Sequence, residues 1–315
     1  MLSAFKLENN QLVKINLEKS FALREAIWID LIEPTKDEFN RIQIELGDSF
    51  IKCFDSKGNI GNSKFLKSKK DLYICSVFFY NEIYHQTDGI VVSFIICDGK
   101  LYSVREQEIS VFRFYQTDVD NTELFIDDNG AYTILLDLFE LKIDHLANKI
   151  ENVYSDLEVL GVLIMNGKEI DKYSSIFSTL ASLEQVCWKL RRCLLDTQRS
   201  VDFLIRKAKI SINQISQAKK VLSIIDYLLV HTETVLQKVN FLIQIAMGFI
   251  NIEQNRVLRF FSVVFLPPTL VASSYGMNFE FMPELKWSFG YPIAIILMIL
   301  TGLAPYLYFK HKNWL

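Results

Sequence analysis

Near Asn129 the apolar positions of this chain change their rhythm. Before that point they run together or alternate. AIWIDL, from Ala26 to Leu31, predicts a buried strand. VVSFIICDGKLYSVRE, from Val91 to Glu106, sets Asp98-Gly99 between two β-branched and aromatic runs, and both turn positions tolerate positive φ, so a tight hairpin is expected. Thr35 with Glu38 three residues later predicts a capping box opening a helix that runs to Leu46. The lysine-rich stretch from Lys52 to Lys70 reads as a solvated loop.

Beyond Asn129 the period is three and a half. Ile143, Leu146, Ile150, Val153, Leu157, Leu160 and Ile164 lay one apolar seam along a long helix. Leu222, Ile225, Leu229, Thr232, Leu236, Val239, Ile243, Ala246 and Ile250 repeat the rhythm, broken only at Thr232, and no proline follows until Pro267. One helix is therefore expected to run on into the apolar sequence downstream. Between the seams, Lys168 to Lys209 is helical by propensity and carries Arg191, Arg192, Arg199, Arg206 and Lys207. The preceding helix carries Asp137, Glu140, Asp144, Glu151, Asp156 and Glu158. Complementary faces of packed helices and a movable electrostatic latch both fit that pattern.

The end of the chain brings in a membrane. Val257–Tyr275 holds one charge, Arg259, and Ser288–Tyr308 holds none. Each is long enough for a hydrocarbon core of roughly 30 Å, which takes about twenty helical residues. Trp287 and Tyr308 occupy interfacial positions; Arg256, Arg259, Lys310, His311 and Lys312 flank the outer ends, and Glu280 and Glu284 lie in the loop between. The positive-inside rule then puts both termini in the cytosol and the loop outside. The expected division is a cytosolic α/β domain over 1–128, a long helical region and stalk over 129–256, a first span over 257–275, an external loop over 276–287, a second span over 288–308 and a basic tail over 309–315.

Composition removes other classes. The net charge of -3 and the lack of basic runs interleaved with aromatics argue against nucleic acid. Cys53, Cys75, Cys97, Cys187 and Cys193 form an odd, scattered set without zinc spacing, suited to a reducing compartment. MLSAFKLENNQ lacks the features of a secretory signal. His85, His145, His231 and His311 join no catalytic constellation, and GVLIMNGKE from Gly161 departs from a phosphate loop, so neither an enzyme nor an organic cofactor is expected.

Two spans cannot enclose a water-filled path, so a pore needs several copies. Leu266, Thr269, Ser273 and Asn278 fall on roughly one face of the first span, giving an apolar constriction, two hydroxyls and an amide with no carboxylate. Magnesium gives up water reluctantly, so neutral oxygens that bond to its hydration shell suit both capture and release. Gly276 is expected to bend the chain so that the Asn278 carbonyl faces the axis, while Glu280 and Glu284 concentrate cations at the mouth. Small residues packing against a neighbouring helix would show the same spacing.

YGMNFEFMPEL ahead of the second span, within FLPPTLVASSYGMNFEFMPELKWSFGYP, and the basic ending KHKNWL resemble the CorA magnesium transporter family. MLSAFKLENN, WIDLIEP, LLDLFELKI, YSDLE, LLDTQRS and QKVNFLIQIAMGFINIEQNR extend the resemblance, to the enterobacterial type of that family, over most of the chain. The resemblance implies a funnel-shaped homopentamer in the bacterial inner membrane, with an α+β cytosolic domain, a long coiled-coil stalk and two C-terminal transmembrane helices. It implies potential-driven influx of Mg2+, and of Co2+ and Ni2+, gated by internal Mg2+. By motif, Gly276, Met277 and Asn278 match the selectivity ring, Thr269 and Ser273 the polar pore positions, Leu266 an apolar gate, and Lys310 and Lys312 the cytosolic basic collar. The family's regulatory carboxylates lie between subunits; DSKGNIGNSKFLKSKKD stands where an acid-rich segment is expected, and Asp226 and Glu233 are the candidates here.

The family pattern also has about three more residues between Asn255 and the Gly-Met-Asn turn, as though one of two Ser-Val-Val units were missing from RFFSVVFLPP. Three helical residues are about 4.5 Å and 300°, so the stalk is expected to meet the pore about 60° out of register. A zinc-transporting relative with the same turn and a membrane-anchored coiled-coil scaffold are the alternatives.

Overall fold

Asp98 and Gly99 take φ of 47° and 77°, the mirror-image turn the sequence predicts, and Cys97 pairs with Lys100 across it. The computed structural model describes residues 1–8, 11–15, 22–46, 65–67, 71–81, 87–118, 130–165, 173–278, 280 and 282–311. The hairpin belongs to a mixed sheet of β1 (Leu2–Glu8), β2 (Gln11–Lys14), β3 (Trp28–Ile32), β4 (Phe65–Lys67), β5 (Leu72–Asn81), β6 (Thr87–Cys97) and β7 (Lys100–Arg105). Their order is β2-β1-β3-β7-β6-β5-β4, and β3 and β7 are the parallel pair. The capping box forms at α1 (Lys36–Leu46): the Thr35 amide donates to Glu38 Oε2 at 3.0 Å and the Glu38 amide to Thr35 Oγ1 at 3.3 Å.

Both faces of the central strands are covered, as a parallel pair requires. On one face Ile42 of α1 packs with Ile29, Leu31, Ile95 and Tyr102. On the other, Phe112 and Tyr115 of α2 (Ser110–Asp118) pack against Trp28, and Phe139 of α3 (Gly130–Met165) meets Phe94 edge-on at 5.7 Å. Two polar networks are buried within this packing. Asp30 receives Arg105 Nη2 at 2.7 Å and Ser103 Oγ at 2.6 Å, while Trp28 Nε1 donates to Ser103 Oγ at 3.0 Å. Lys142 Nζ donates to Ser76 Oγ at 2.9 Å and lies 4.3 Å from the Phe78 ring centre; Asp196 Oδ2 accepts from Ser76 Oγ at 3.1 Å and from the Val77 amide at 2.7 Å. Desolvating such charges is costly, and these bonds offset that cost while joining β5 to two helices.

Those helices are α3 and α4 (Tyr173–Lys207), followed by α5 (Ile212–Tyr275) and α6 (Gly290–His311). All seven residues of the α3 seam are buried. The α5 seam differs from the expectation. Ile225, Thr232, Val239 and Ala246 are buried as predicted, but their companions are Val221, Leu228, Val235 and Leu242. Leu222, Leu229, Leu236, Ile243 and Ile250 are half-buried on its flank. The Thr232 hydroxyl donates to the Leu229 carbonyl at 2.7 Å, which lets a polar residue sit in the seam.

The charge pattern is also redirected. Two acids of α3 and one base of α4 pair with α5: Glu140 with Lys220 at 2.9 Å, Glu158 with Lys238 at 3.9 Å, and Arg191 with Glu233 at 2.9 Å. The lysine-rich stretch lies largely outside the described residues, yet β4 falls inside it. Phe65 stacks on Phe203 at 5.1 Å, and Lys67 Nζ donates to the Lys207 carbonyl at 2.6 Å, closing the end of α4. Two compact units result: Met1–Gly161 with Phe177–Asn240, and Val162–Ile176 with Phe241–Leu315.

Candidate functional site

In the second unit, the end of α5 and α6 are both long and apolar enough to cross a membrane. Their apolar side chains are exposed, among them Leu258, Phe261, Phe265 and Leu270 on α5 and Ile296, Ile299 and Leu303 on α6. Such surface calls for lipid or protein around it. The two helices meet at one seam. Phe260 contacts the Tyr306 ring edge-on at 5.8 Å, and a Cβ on Gly302 would lie 3.2 Å from Pro268 Cγ and 3.4 Å from the Val264 carbonyl oxygen. A side chain at Gly302 would require Pro268 to give by a few tenths of an ångström.

That seam fixes the opposite face. With about 100° per residue, Leu266, Thr269 and Ser273 cluster within roughly 60° of one another and lie roughly opposite Phe260, Val264 and Pro268. All three are exposed, Leu266 at 66%. Pro267 and Pro268 sit inside α5 and supply no amide donors to the carbonyls of Val263 and Val264, while the Thr269 hydroxyl donates back to the Phe265 carbonyl at 2.6 Å.

At the end of α5 the Gly276 amide donates to the carbonyls of Ala272 at 3.0 Å and Ser273 at 3.2 Å. Among the described glycines, positive φ occurs at Gly99, so Gly276 does not bend the chain through a left-handed conformation. What it supplies is room: a Cβ there would stand 3.3 Å from the Ala272 carbonyl oxygen. Met277, Asn278 and Glu280 follow, all exposed, and Glu284 lies in the 3-10 turn Pro283–Lys286 that leads to α6. Trp287, Phe289 and Tyr291 are exposed at that end of α6, and Tyr308 at the other. Lys310 lies in the last turn with Nζ 5.9 Å from the Tyr306 ring centre; Lys312 lies outside the described residues.

The remaining candidates are on α5 in the first unit. Asp226 accepts from Gln198 Nε2 at 2.8 Å, and Glu233 pairs with Arg191. Seven residues separate them by about 10 Å along the helix, so one chain does not bring both to a single ion. No group of three His, Cys, Asp or Glu residues suited to a metal occurs among the described residues. A polar cluster that the sequence reading did not single out joins α2, α3 and α5: Asp137 accepts from Gln217 Nε2 at 2.7 Å and Tyr115 Oη at 3.1 Å, and Gln217 also reaches Glu140 at 3.2 Å. Burial pushes the Asp137 carboxyl above the usual range despite these donors. The signal for it, acids at Asp137 and Glu140 facing polar Gln217, crosses 80 positions of sequence from Asp137 and 77 from Glu140.

A family model described as CorA-like Mg2+ transporter protein matches residues 24–311. The chain is 54% identical over 318 residues to the magnesium transport protein CorA of Escherichia coli strain K12, covering 100% of each. Its fold is similar to that of the complete CorA magnesium transporter from Methanocaldococcus jannaschii, with a TM-score of 0.73 and 16% identity over 100% of this chain and 99% of that one. It is also similar to the ZntB cytoplasmic domain from Vibrio parahaemolyticus, with a TM-score of 0.62 and 9% identity over 79% of this chain and 97% of that one. Low identity makes the last two evidence of fold alone. The full-length family match and the 54% identity carry the assignment: the chain belongs to the CorA-like Mg2+ transporter family.

Proposed function

We propose that copies of this chain, five in the assembly the resemblance implies, form a channel for potential-driven Mg2+ influx across the bacterial inner membrane, both termini being cytosolic. The observation that carries this reading is the exposed α5 face opposite α6, where Leu266, Thr269 and Ser273 lead to the turn at Gly276, Met277 and Asn278. Repeated around an axis, Asn278 offers amide oxygens to the hydrated ion, Thr269 and Ser273 offer hydroxyls, and Leu266 narrows the path. No covalent step is involved. A potential of 100 mV gives a divalent ion about 4.6 kcal/mol, which is roughly a two-thousandfold concentration ratio.

Glu280 and Glu284 raise the local cation concentration outside, and Lys310 and Lys312 form the basic collar inside. Replacing both glutamates with Gln should lower uptake several-fold at low ionic strength and much less at high salt, because exposed charges are screened. Co2+ and Ni2+ pass by the same route. Regulatory closure by internal Mg2+ falls to carboxylates from two copies, with Asp226 and Glu233 as candidates; Arg191 would have to release Glu233. Zinc is the second reading, because a zinc-transporting relative would carry the same Gly-Met-Asn turn. Competition separates them: excess Mg2+ should suppress uptake of labelled Ni2+, whereas a zinc carrier would respond to Zn2+ alone.

A further inference from the structure

We infer that Arg259, repeated around the axis of the channel proposed above, puts a ring of positive charge on the pore wall at its cytosolic end and limits the rate of Mg2+ passage. The inference rests on that channel reading and its orientation. Arg259 lies inside the apolar run of the first span and is exposed. It stands seven residues before Leu266, two helical turns less about 20°, and the helix prolines come only after both. The residues that meet α6 lie elsewhere on the wheel: Phe260, Val264 and Pro268 are about 100°, 140° and 180° from Arg259. Arg259 borders the small apolar cleft beside Phe260 at one edge. Asn255 and Ser262, both exposed, fall within about 60° of it. The face that carries Leu266, Thr269 and Ser273 thus continues toward the stalk as Ser262, Arg259 and Asn255.

A charged side chain at membrane depth pairs with a counter-charge or faces a water-filled cavity. Arg259 makes no ion pair among the described residues, whereas Arg256, about 60° further round toward α6, lies 3.9 Å from Glu253. Arg259 and Tyr275, where the helix ends, are about 24 Å apart along α5, so Arg259 and the Gly-Met-Asn turn stand at opposite mouths. The path then runs from the acids Glu280 and Glu284, past neutral hydroxyls, to a base. Mg2+ is drawn to the first mouth and repelled at the last. Rings of Arg or Lys ordinarily suit anions, so in a cation path this one opposes the permeant ion. Exposed guanidiniums stay hydrated and screened, so the ring slows exit without closing the path.

The test measures Mg2+ influx into liposomes for the full-length parent and for Arg259→Lys, Arg259→Gln, Arg259→Glu and Arg256→Gln, at matched oligomer content checked by size-exclusion chromatography. Rates should follow charge and not size: Arg259→Lys like the parent, Arg259→Gln about threefold faster, and Arg259→Glu, which has the shape of Gln, faster again. The ratio of Arg259→Gln to parent should fall toward one as salt rises from about 0.01 M to about 1 M, where the screening length shrinks from about 30 Å to about 3 Å. Arg256→Gln should stay near the parent. Equal gains from Arg259→Gln and Arg259→Glu would overturn the inference, because freed space and not charge would then set the rate. So would a gain as large from Arg256→Gln, which would place the effect at the membrane surface and not on the pore wall. Variants that assemble only with a positive charge at position 259 would overturn it too, since the residue would then serve assembly. A conducting parent whose rate is indifferent to position 259 overturns this inference alone; no influx from parent or variants sinks the channel reading and this inference with it.

Discussion

Adding Ser-Val-Val after Val264 should leave Mg2+ uptake within about fivefold of the parent, a limit set by one aromatic contact. The insertion moves everything upstream by about 4.5 Å and turns it by a net 60° relative to the pore. Between Met247 and Phe265 no side chain of α5 is buried, whereas from Val221 to Ala246 every third or fourth one is. Shared over those residues, the turn amounts to about 3° per position, well inside the 15–20° scatter of ordinary helical dihedrals. Its local cost is the edge contact of Phe260 with Tyr306, because Val263 then takes the place of Phe260. Such a contact is worth about 1 kcal/mol, or about fivefold in a two-state equilibrium. The packing of Gly302 on Pro268 lies beyond the insertion and should persist. The assay is Mg2+ influx into liposomes at matched protein content. A gain above about tenfold would mean that stalk and pore are keyed rigidly and that the slack described here does not exist.

Asp137→Asn should flatten the pH dependence of thermal stability. Burial raises this carboxyl above its unfolded value, so its stabilising contribution is full below about pH 4 and lost as pH rises through the folded value. Midpoints between pH 4 and 7 that fall equally for parent and variant would contradict this. Asp196→Leu should cost about 3–5 kcal/mol, since the Lys142 ammonium stays buried, while adding Lys142→Met to it should recover much of that. Additive losses in that double-mutant cycle would show the two are independent. Cys187, its thiol pushed up to about 11 by burial, should resist maleimide at neutral pH until the protein unfolds, as mass spectrometry of labelled peptides can check.

Local chemistry was legible in the sequence, and relations across the chain were not. The Thr35–Glu38 box and the Asp98-Gly99 turn depend on residues within reach of each other, and both form as read. The α3 seam is unambiguous because one apolar residue serves each turn. On α5 the doublets Val221-Leu222, Leu228-Leu229, Val235-Leu236 and Leu242-Ile243 offer two residues per position, and periodicity alone cannot choose between them. Strands β1, β2 and β5 lack a comparable turn signal and were not among the predicted elements; their pairing partners decide them. The charged faces of α3 and α4 look complementary to each other, yet each meets α5, which only packing reveals. At the candidate site, the spans and the Gly-Met-Asn turn are contiguous and readable. The Gly302–Pro268 approach, which turns Leu266, Thr269 and Ser273 away from α6, joins residues from two helices and is not.

The most direct test reconstitutes the purified oligomer in liposomes and follows Mg2+ influx under an imposed inside-negative potential, beside Asn278→Ala. Influx should rise with the potential and fall at least about tenfold in the variant. A folded oligomer that passes no Mg2+, or an Asn278→Ala protein that conducts like the parent, would contradict the channel reading.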